Sequence, residues 1–462
     1  MHLRFHYIYN ILSKIKEKIN KILINFFVNN EMHKFLCFLL IVNLRKIKQI
    51  KPQNHTKFKA IVLSKSGGLE DLIYSQKKYN KNILYLNCPR YFFADIFLAI
   101  AYGLGQKNIK NYIKKKENIN SKEIREIEIV KKKYSIFLIN FLKILKKKYN
   151  FQIFIGFNFN YSAEKDLHKV CTQLRIPFLL LLKESVITEI EKDYFIHALK
   201  KQKEKFNGYK VAVYSNFAKK FLIESNLIDQ NNKVEVVGCS RLSASFLYKK
   251  KIPKNQILYY AIQNNRGLPN RFIKKFGNRY FNDLKKKEPY NSKYNWNILH
   301  KKTLRILKKF AIKNPEILIS IKTKTGDLYD KKQYLHLPKN IKVHHSGTGH
   351  KLLENSKIII AWNTTSILEG IASNRLILLP YFHKKSSNLK KRDELILKLK
   401  NKNYGYSEND FYKKNNYFVK KKYIINKVYN NQYSLKYYLG NEDNKANLRL
   451  NNFIQKNLSY KD

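Results

Sequence analysis

Residues 356–382, SKIIIAWNTTSILEGIASNRLILLPYF, hold the decisive pattern of this chain. An apolar run, Ile358–Trp362, ends in the polar cluster Asn363-Thr364-Thr365-Ser366, and Glu369 falls in the first turn of a short helical stretch. A second apolar run, Leu376–Leu379, is stopped by Pro380. Strand, turn, helix and strand in so short a span require two parallel strands joined by a right-handed crossover. Free backbone N–H groups at the helix start then form an anion site beside the carboxyl edge of a sheet, where such folds bind ligands. The same residues admit a structural alternative. Ser366-x-x-Glu369 also spells a capping box, in which the two side chains satisfy backbone donors.

Working outward, short apolar runs separated by helical stretches recur along most of the chain, the alternation of a parallel sheet. Ala60–Leu63, Ile83–Leu86, Phe151–Phe157, Phe178–Leu182, Val211–Tyr214 and Val234–Val237 read as strands of a first unit. Lys110–Lys148 reads as a long lysine-rich helical excursion from it, exposed to solvent. Lys249–Asn255, with Pro253 inside it, breaks the pattern. Strands Ile257–Ile262, Ile317–Ile321, Ile341–His344, Ile358–Trp362 and Leu376–Leu379, with an amphipathic helix Trp296–Lys313, then make a second unit. The expected organisation is α/β, with a basic leader over 1–50, Rossmann-like domains over 51–250 and 251–400, and a basic helical tail over 401–462.

At 462 residues the chain can build two cores. Lys+Arg of 92 against Asp+Glu of 33 gives a net charge of +59. Such a charge points first to nucleic acid or an anionic membrane. The lysines are scattered rather than striped and no recognition motif accompanies them, which argues against nucleic acid. Cys37, Cys88, Cys171 and Cys239 lie far apart with no C-x-x-C pair, so they offer neither a zinc set nor a disulfide framework and fit a reducing cytosol. In the leader, Ile11, Leu12, Ile15, Ile19, Ile22, Leu23, Phe26 and Phe27 recur at helical spacing with Lys14, Lys16, Lys18 and Lys21 between them. Such a helix lies in a membrane interface or packs on its own protein, and the spacing fits both. Phe35–Val42 is apolar but too short to span a bilayer.

Val236-Val237-Gly238-Cys239-Ser240-Arg241-Leu242 resembles the segment that closes the first domain of GT-B-type glycosyltransferases of bacterial surface polysaccharide synthesis. Trp296–Lys324 and Asn363–Pro380 are similar to the second domain of the same group. The resemblance covers roughly 150–385 and departs at Ser373-Asn374-Arg375-Leu376, where a small residue, glycine and proline are more usual. It implies two Rossmann-like domains facing across a cleft. It also implies transfer of a sugar from a nucleotide-sugar donor to a glycan or lipid-linked acceptor, in the cytoplasm and peripheral to the inner face of the cell membrane. The alternatives are a CDP-glycerol-type polyol-phosphate transferase, a sugar-nucleotide 2-epimerase and a basic nucleic-acid-binding protein.

Glycosyl transfer needs charge neutralised on a departing diphosphate and a base beside the acceptor hydroxyl. Thr364, Thr365 and Ser366 at the helix start, with Lys322 and Lys324 at a strand's carboxyl end, supply the first requirement. Glu369 would bind ribose hydroxyls if it does not cap. His345, on the loop His344-His345-Ser346-Gly347-Thr348-Gly349-His350, is a candidate for phosphate or base contact. Glu184, in Lys183-Glu184-Ser185 after an apolar strand, is the candidate base. Ser66, Gly67 and Gly68 occupy the first strand–helix turn, within reach of acceptor or phosphates, but lack the spacing of a P-loop. No Asp-x-Asp occurs, so neither a metal nor a cofactor is expected, the nucleotide-sugar being substrate.

Overall fold

A computed structural model describes residues 2–64, 68–89, 91–109, 121–158, 162–182, 186, 192, 196, 205–249, 251–261, 296–323, 331–345, 349–362, 364–380, 382, 403–421, 432–440 and 443–459. The first unit comprises α1 (His2–Asn29), α2 (His33–Asn43), β1 (Arg45–Lys46), β2 (Phe58–Leu63), α3 (Gly68–Tyr79), β3 (Ile83–Cys88) and α4 (Tyr91–Gly103). It continues through α5 (Ser121–Tyr149), β4 (Ile153–Gly156), α6 (Ser162–Gln173), β5 (Phe178–Leu181), β6 (Lys210–Val213), α7 (Asn216–Glu224), β7 (Val234–Val236) and α8 (Leu242–Leu247). Its described strands form one sheet of order β1-β3-β2-β4-β5-β6-β7, parallel except for β1.

Continuous apolar runs suit these strands because both faces of the sheet are covered. Alternate residues serve opposite layers. Ile61, Leu63, Phe178 and Leu180 join a core with α1, α2, α4 and α5, while Ala60, Val62, Leu179 and Leu181 join one containing Leu72 of α3. The leader is therefore part of this domain. Ile24, Val28, Leu36, Cys37 and Leu40 of α1 and α2 are buried in the first of those cores. So are Val130, Tyr134, Leu138, Phe141 and Leu142 of α5, which makes that helix a core layer rather than a solvated excursion. The lysines between them face water while every third or fourth residue packs inward.

The second unit comprises β8 (Gln256–Tyr260), α9 (Trp296–Lys313), β9 (Leu318–Lys322), β10 (Ile341–His344), α10 (His350–Asn355), β11 (Ile358–Ile360), α11 (Ser366–Ala372), β12 (Leu376–Pro380) and β13 (Asn403–Gly405). Its sheet is parallel, in the order β10-β9-β8-β11-β12-β13. In chain order this is the 3-2-1-4-5-6 sequence of a doubly wound sheet, whose direction reverses between β8 and β11. The architecture is thus α/β with two Rossmann-like units. The chain beyond 401 divides between them: β13 and α12 (Glu408–Lys420) belong to the second, α13 (Gln432–Leu439) bridges α11 and α7, and α14 (Ala446–Lys456) packs on α3.

The departure at 373–376 has a local cause. Asn374 takes φ +59°, a conformation that glycine ordinarily supplies and asparagine tolerates. Arg375 is wholly buried and donates to the carbonyls of Leu353 and Glu354 at the end of α10 and of Tyr248 and Lys251 just after α8. Carbonyls at a helix C-terminus carry partial negative charge, so they compensate the buried guanidinium.

Candidate functional site

The carboxyl ends of both sheets converge. From the first, β2 leads into α3, whose Glu70, Asp71 and Tyr74 lie toward the second unit, and β6 and β7 deliver Tyr214 and Arg241. From the second, β8 ends in Tyr260, β9 in Lys322 and Thr323, β10 in His344 and His345, and β11 leads to Thr364–Ser366 and Glu369. The two sides touch where the ring of Tyr74 meets His350 at 5.7 Å, edge to face.

Asp71 is the anchor of this junction. Its carboxylate accepts from the Arg241 backbone N–H (2.9 Å), the Arg241 guanidinium (3.2 Å) and the Tyr214 hydroxyl (2.5 Å). Tyr214 also accepts from the guanidinium (3.1 Å), and the Cys239 thiol lies 3.7 Å from Asp71. Burial drives the Tyr214 phenol well above its usual pKa, so it stays a donor. A carboxylate so fully engaged is structural rather than a free base. Arg241 reaches onward, its Nε 3.9 Å from Glu369 of α11, and thereby links α3 to the second unit through one guanidinium.

Glu369 does not cap. Ser366 is the first residue inside α11, Thr365 stands before it with helical φ and ψ, and no side-chain cap bond forms. The Ser366 N–H instead donates to the Thr364 hydroxyl oxygen at 3.4 Å. The Glu369 carboxylate, largely buried, is turned to Arg241. Of the two readings of Ser366-x-x-Glu369, the structure rejects the capping box.

Lys322 is buried, with Nζ donating to the Thr323 carbonyl, and desolvation lowers its pKa while Glu70 across the junction opposes that shift. His344 beside it is also lowered, by burial first and then by Lys322, Lys342 and His345. The His345 Nδ1 lies 3.1 Å from the Thr323 hydroxyl. Tyr260 is half-buried near Glu369 and Ser366, and the Nδ1 of buried His350 finds no hydrogen-bond partner among the described residues. A buried polar atom left open beside a sheet's switch point is available to a ligand.

The structure therefore brings Lys322, His345, Thr364, Thr365, Ser366 and Glu369 to one edge. Gly68 begins α3, where a side chain would strike the Phe157 ring (2.3 Å from an added Cβ), so its smallness serves close packing of α3 on β4. Glu184, Lys324, Ser66, Gly67 and Asn363 lie outside the described residues. Sequence reading passed over Asp71, Tyr74, Tyr214 and Tyr260 and gave no role to Arg241 or His350. The available signal was position, since each follows or ends a strand on the carboxyl side. Among the described residues no group of three His, Cys, Asp or Glu is placed to hold a metal ion. The four cysteines are free and buried, and burial pushes the Cys37 thiol up to about 12.

No protein-family model matches the chain, and no curated protein is similar to it in sequence. Among solved structures it is similar to the UDP-GlcNAc 2-epimerase of Methanocaldococcus jannaschii (10% identity, TM-score 0.45, 87% of this chain and 100% of that one). The Neisseria meningitidis UDP-GlcNAc 2-epimerase bound to UDP-GlcNAc matches at 9% identity and a TM-score of 0.44 over 88% of this chain and 100% of that one. The glycotransferase of kitacinnamycin gives the same identity, TM-score and coverage. At TM-scores below 0.5 these likenesses add nothing to the topology described above.

Proposed function

We propose that the junction of the two sheets binds a nucleoside-diphosphate sugar and that the protein transfers the sugar to a cell-surface glycan or lipid-linked acceptor. The supporting observation is the strand order β10-β9-β8-β11-β12-β13, which gathers Tyr260, Lys322, His345, Ser366 and Glu369 at one switch point facing α3. In this reading Lys322 and the Thr364–Ser366 turn neutralise the diphosphate, and Glu369, held by Arg241, accepts from ribose hydroxyls. The acceptor oxygen bonds to the anomeric carbon as the bond from that carbon to the phosphate oxygen breaks. The hydroxyl proton passes to Glu184 and the electron pair leaves with the diphosphate. The chain works in the cytoplasm, on the inner face of the membrane that carries its acceptor.

The test is binding and then product analysis. Calorimetry against UDP-, GDP-, CMP- and CDP-linked donors should find one that binds, with Lys322→Met weakening it by roughly 10–100-fold at unchanged melting temperature. The diphosphate needs the ammonium form, whose pKa burial lowers from 10.5. Affinity should therefore be full below that lowered pKa and fade as pH rises through it, earlier than for an ordinary lysine. Lys322→Met should remove that fade. Release of nucleotide only when an acceptor is present supports sugar transfer, and release of a nucleoside monophosphate from a CDP-polyol supports polyol-phosphate transfer instead. Isomerisation of a UDP-sugar with no acceptor present would establish a 2-epimerase, and the absence of binding by every donor would remove the reading.

A further inference from the structure

Helices α1 and α2 each carry two apolar faces. The inward faces hold Ile24 and Val28, and Leu36, Cys37 and Leu40, in the core of the first domain. On α1 the opposite side presents Ile15, Ile19, Ile22 and Phe26, at the i, i+4, i+7, i+11 spacing of one stripe. On α2 Phe35, Phe38 and Val42 repeat at i, i+3, i+7, again opposite the buried set. These seven side chains are between 49% and 66% exposed, too open for a core and too clustered for scattered surface residues. The stripes join through rings: Phe26 meets Phe27 at 5.7 Å, and Phe27 stacks on Phe35 at 5.8 Å across the turn between the helices.

We propose that this two-helix surface docks the protein on an anionic lipid bilayer, with α1 and α2 lying in the interface. Charge identifies the occupant. Exposed Lys16, Lys18, Lys21 and Lys34 lie among the apolar side chains, against Glu17 and Glu31, and Arg45 and Lys46 follow α2, exposed, in β1. Lysine stems lie along apolar surface while their ammonium groups reach phosphate, which suits a headgroup layer better than a protein groove. Among the described residues no helix is long and apolar enough to cross a membrane, so contact is made from one side. The inference deepens the membrane location proposed above. It rests on residues outside the sheet junction, so donor binding and vesicle binding fail independently.

The experiment uses the full chain and sedimentation with vesicles of phosphatidylcholine, with or without about a third phosphatidylglycerol. The protein should sediment with the anionic vesicles and not with the neutral ones, and salt should weaken the attachment as it screens the headgroup charge. The double variant Ile22→Glu, Phe38→Glu alters exposed side chains only. It should keep its melting temperature and lose roughly 100-fold in partitioning, about tenfold for each anchor removed. A second variant, Lys16→Gln, Lys18→Gln, Lys21→Gln, Lys34→Gln, leaves the apolar stripes intact and should lose the preference for anionic lipid. Wild-type protein that stays in the supernatant with both vesicles overturns the proposal. So do variants that bind like wild type. A dimer abolished by Ile22→Glu, Phe38→Glu, with vesicles ignored, would make a second copy of the chain the occupant instead.

Discussion

His300 shows how a single buried side chain in this fold sets its response to acid. It is wholly buried between the Tyr259 hydroxyl, 2.7 Å from Nδ1, and the Tyr334 hydroxyl, 3.3 Å from Nε2. Burial lowers its pKa from 6.5 to about 4, with Gln333 opposing the shift. Below about pH 6.5 the unfolded chain takes up a proton that the folded chain refuses until about pH 4. The stability tied to this group is therefore full above that window and lost as pH falls through it. The lowered pKa corresponds to about 3 kcal/mol. Urea unfolding at pH 7.5 and at pH 4 should show wild type losing about 3 kcal/mol more than His300→Gln. An equal loss in both would mean that the imidazole keeps an ordinary pKa.

Among the elements, the N-terminal helix is the one whose spacing fits two places, a membrane interface and the protein's own core. In the fold, α1 packs on α4 and α2 on α5, and β1 adds an antiparallel edge to β3. Removing residues 1–43 would open cavities at Ile24, Val28, Leu36, Cys37 and Leu40. Each large aliphatic lost from a core costs roughly 2–5 kcal/mol, and a domain holds only about 5–15 in all. The truncated chain should therefore be insoluble or should melt without a cooperative transition, as read by circular dichroism. A soluble, cooperatively folding remainder would show the helices to be accessory.

At the scale of the whole molecule, the C-terminal segment ties the two units together. After α13, Gly440 passes close to the Tyr214 backbone, beside the Asp71–Arg241 cluster, and α14 returns to α3. The Cys239 N–H donates to Leu439 O, and Arg449 Nε to Val237 O. Gly440 has φ +64°, and an added Cβ would lie 1.9 Å from the Tyr214 carbonyl oxygen, which is backbone and cannot swing aside. Gly440→Ala combines a left-handed alanine with that clash and should cost about 2–4 kcal/mol. The same displacement should disturb Tyr214 and Asp71 and weaken donor binding. Chemical unfolding and calorimetry on the one variant check both effects. An unchanged stability would mean that the segment yields easily and does not clasp.

Sequence alone determined the elements whose signal is local. Runs such as Ala60–Leu63 and Ile358–Ile360 are apolar throughout because both faces of their sheets are covered, so their composition announces them. Lys322, His345, Ser366 and Glu369 were legible for a related reason, since polar residues that end such runs fall on the carboxyl edge where ligands bind. Tertiary structure decided the rest. β1 is Arg-Lys and β13 is Asn-Tyr-Gly, and neither carries a run that marks it as a strand before its neighbour pairs with it. The anchor of the junction joins Asp71 to Tyr214 across 143 residues and to Arg241 across 170, separations over which no periodicity operates. For α1 the same amphipathic spacing suits core and interface alike, and for α2 the apolar run Phe35–Val42 shows no preferred face. Only the packing of α4 and α5 fixed which stripe of each helix turned inward and left the other facing out.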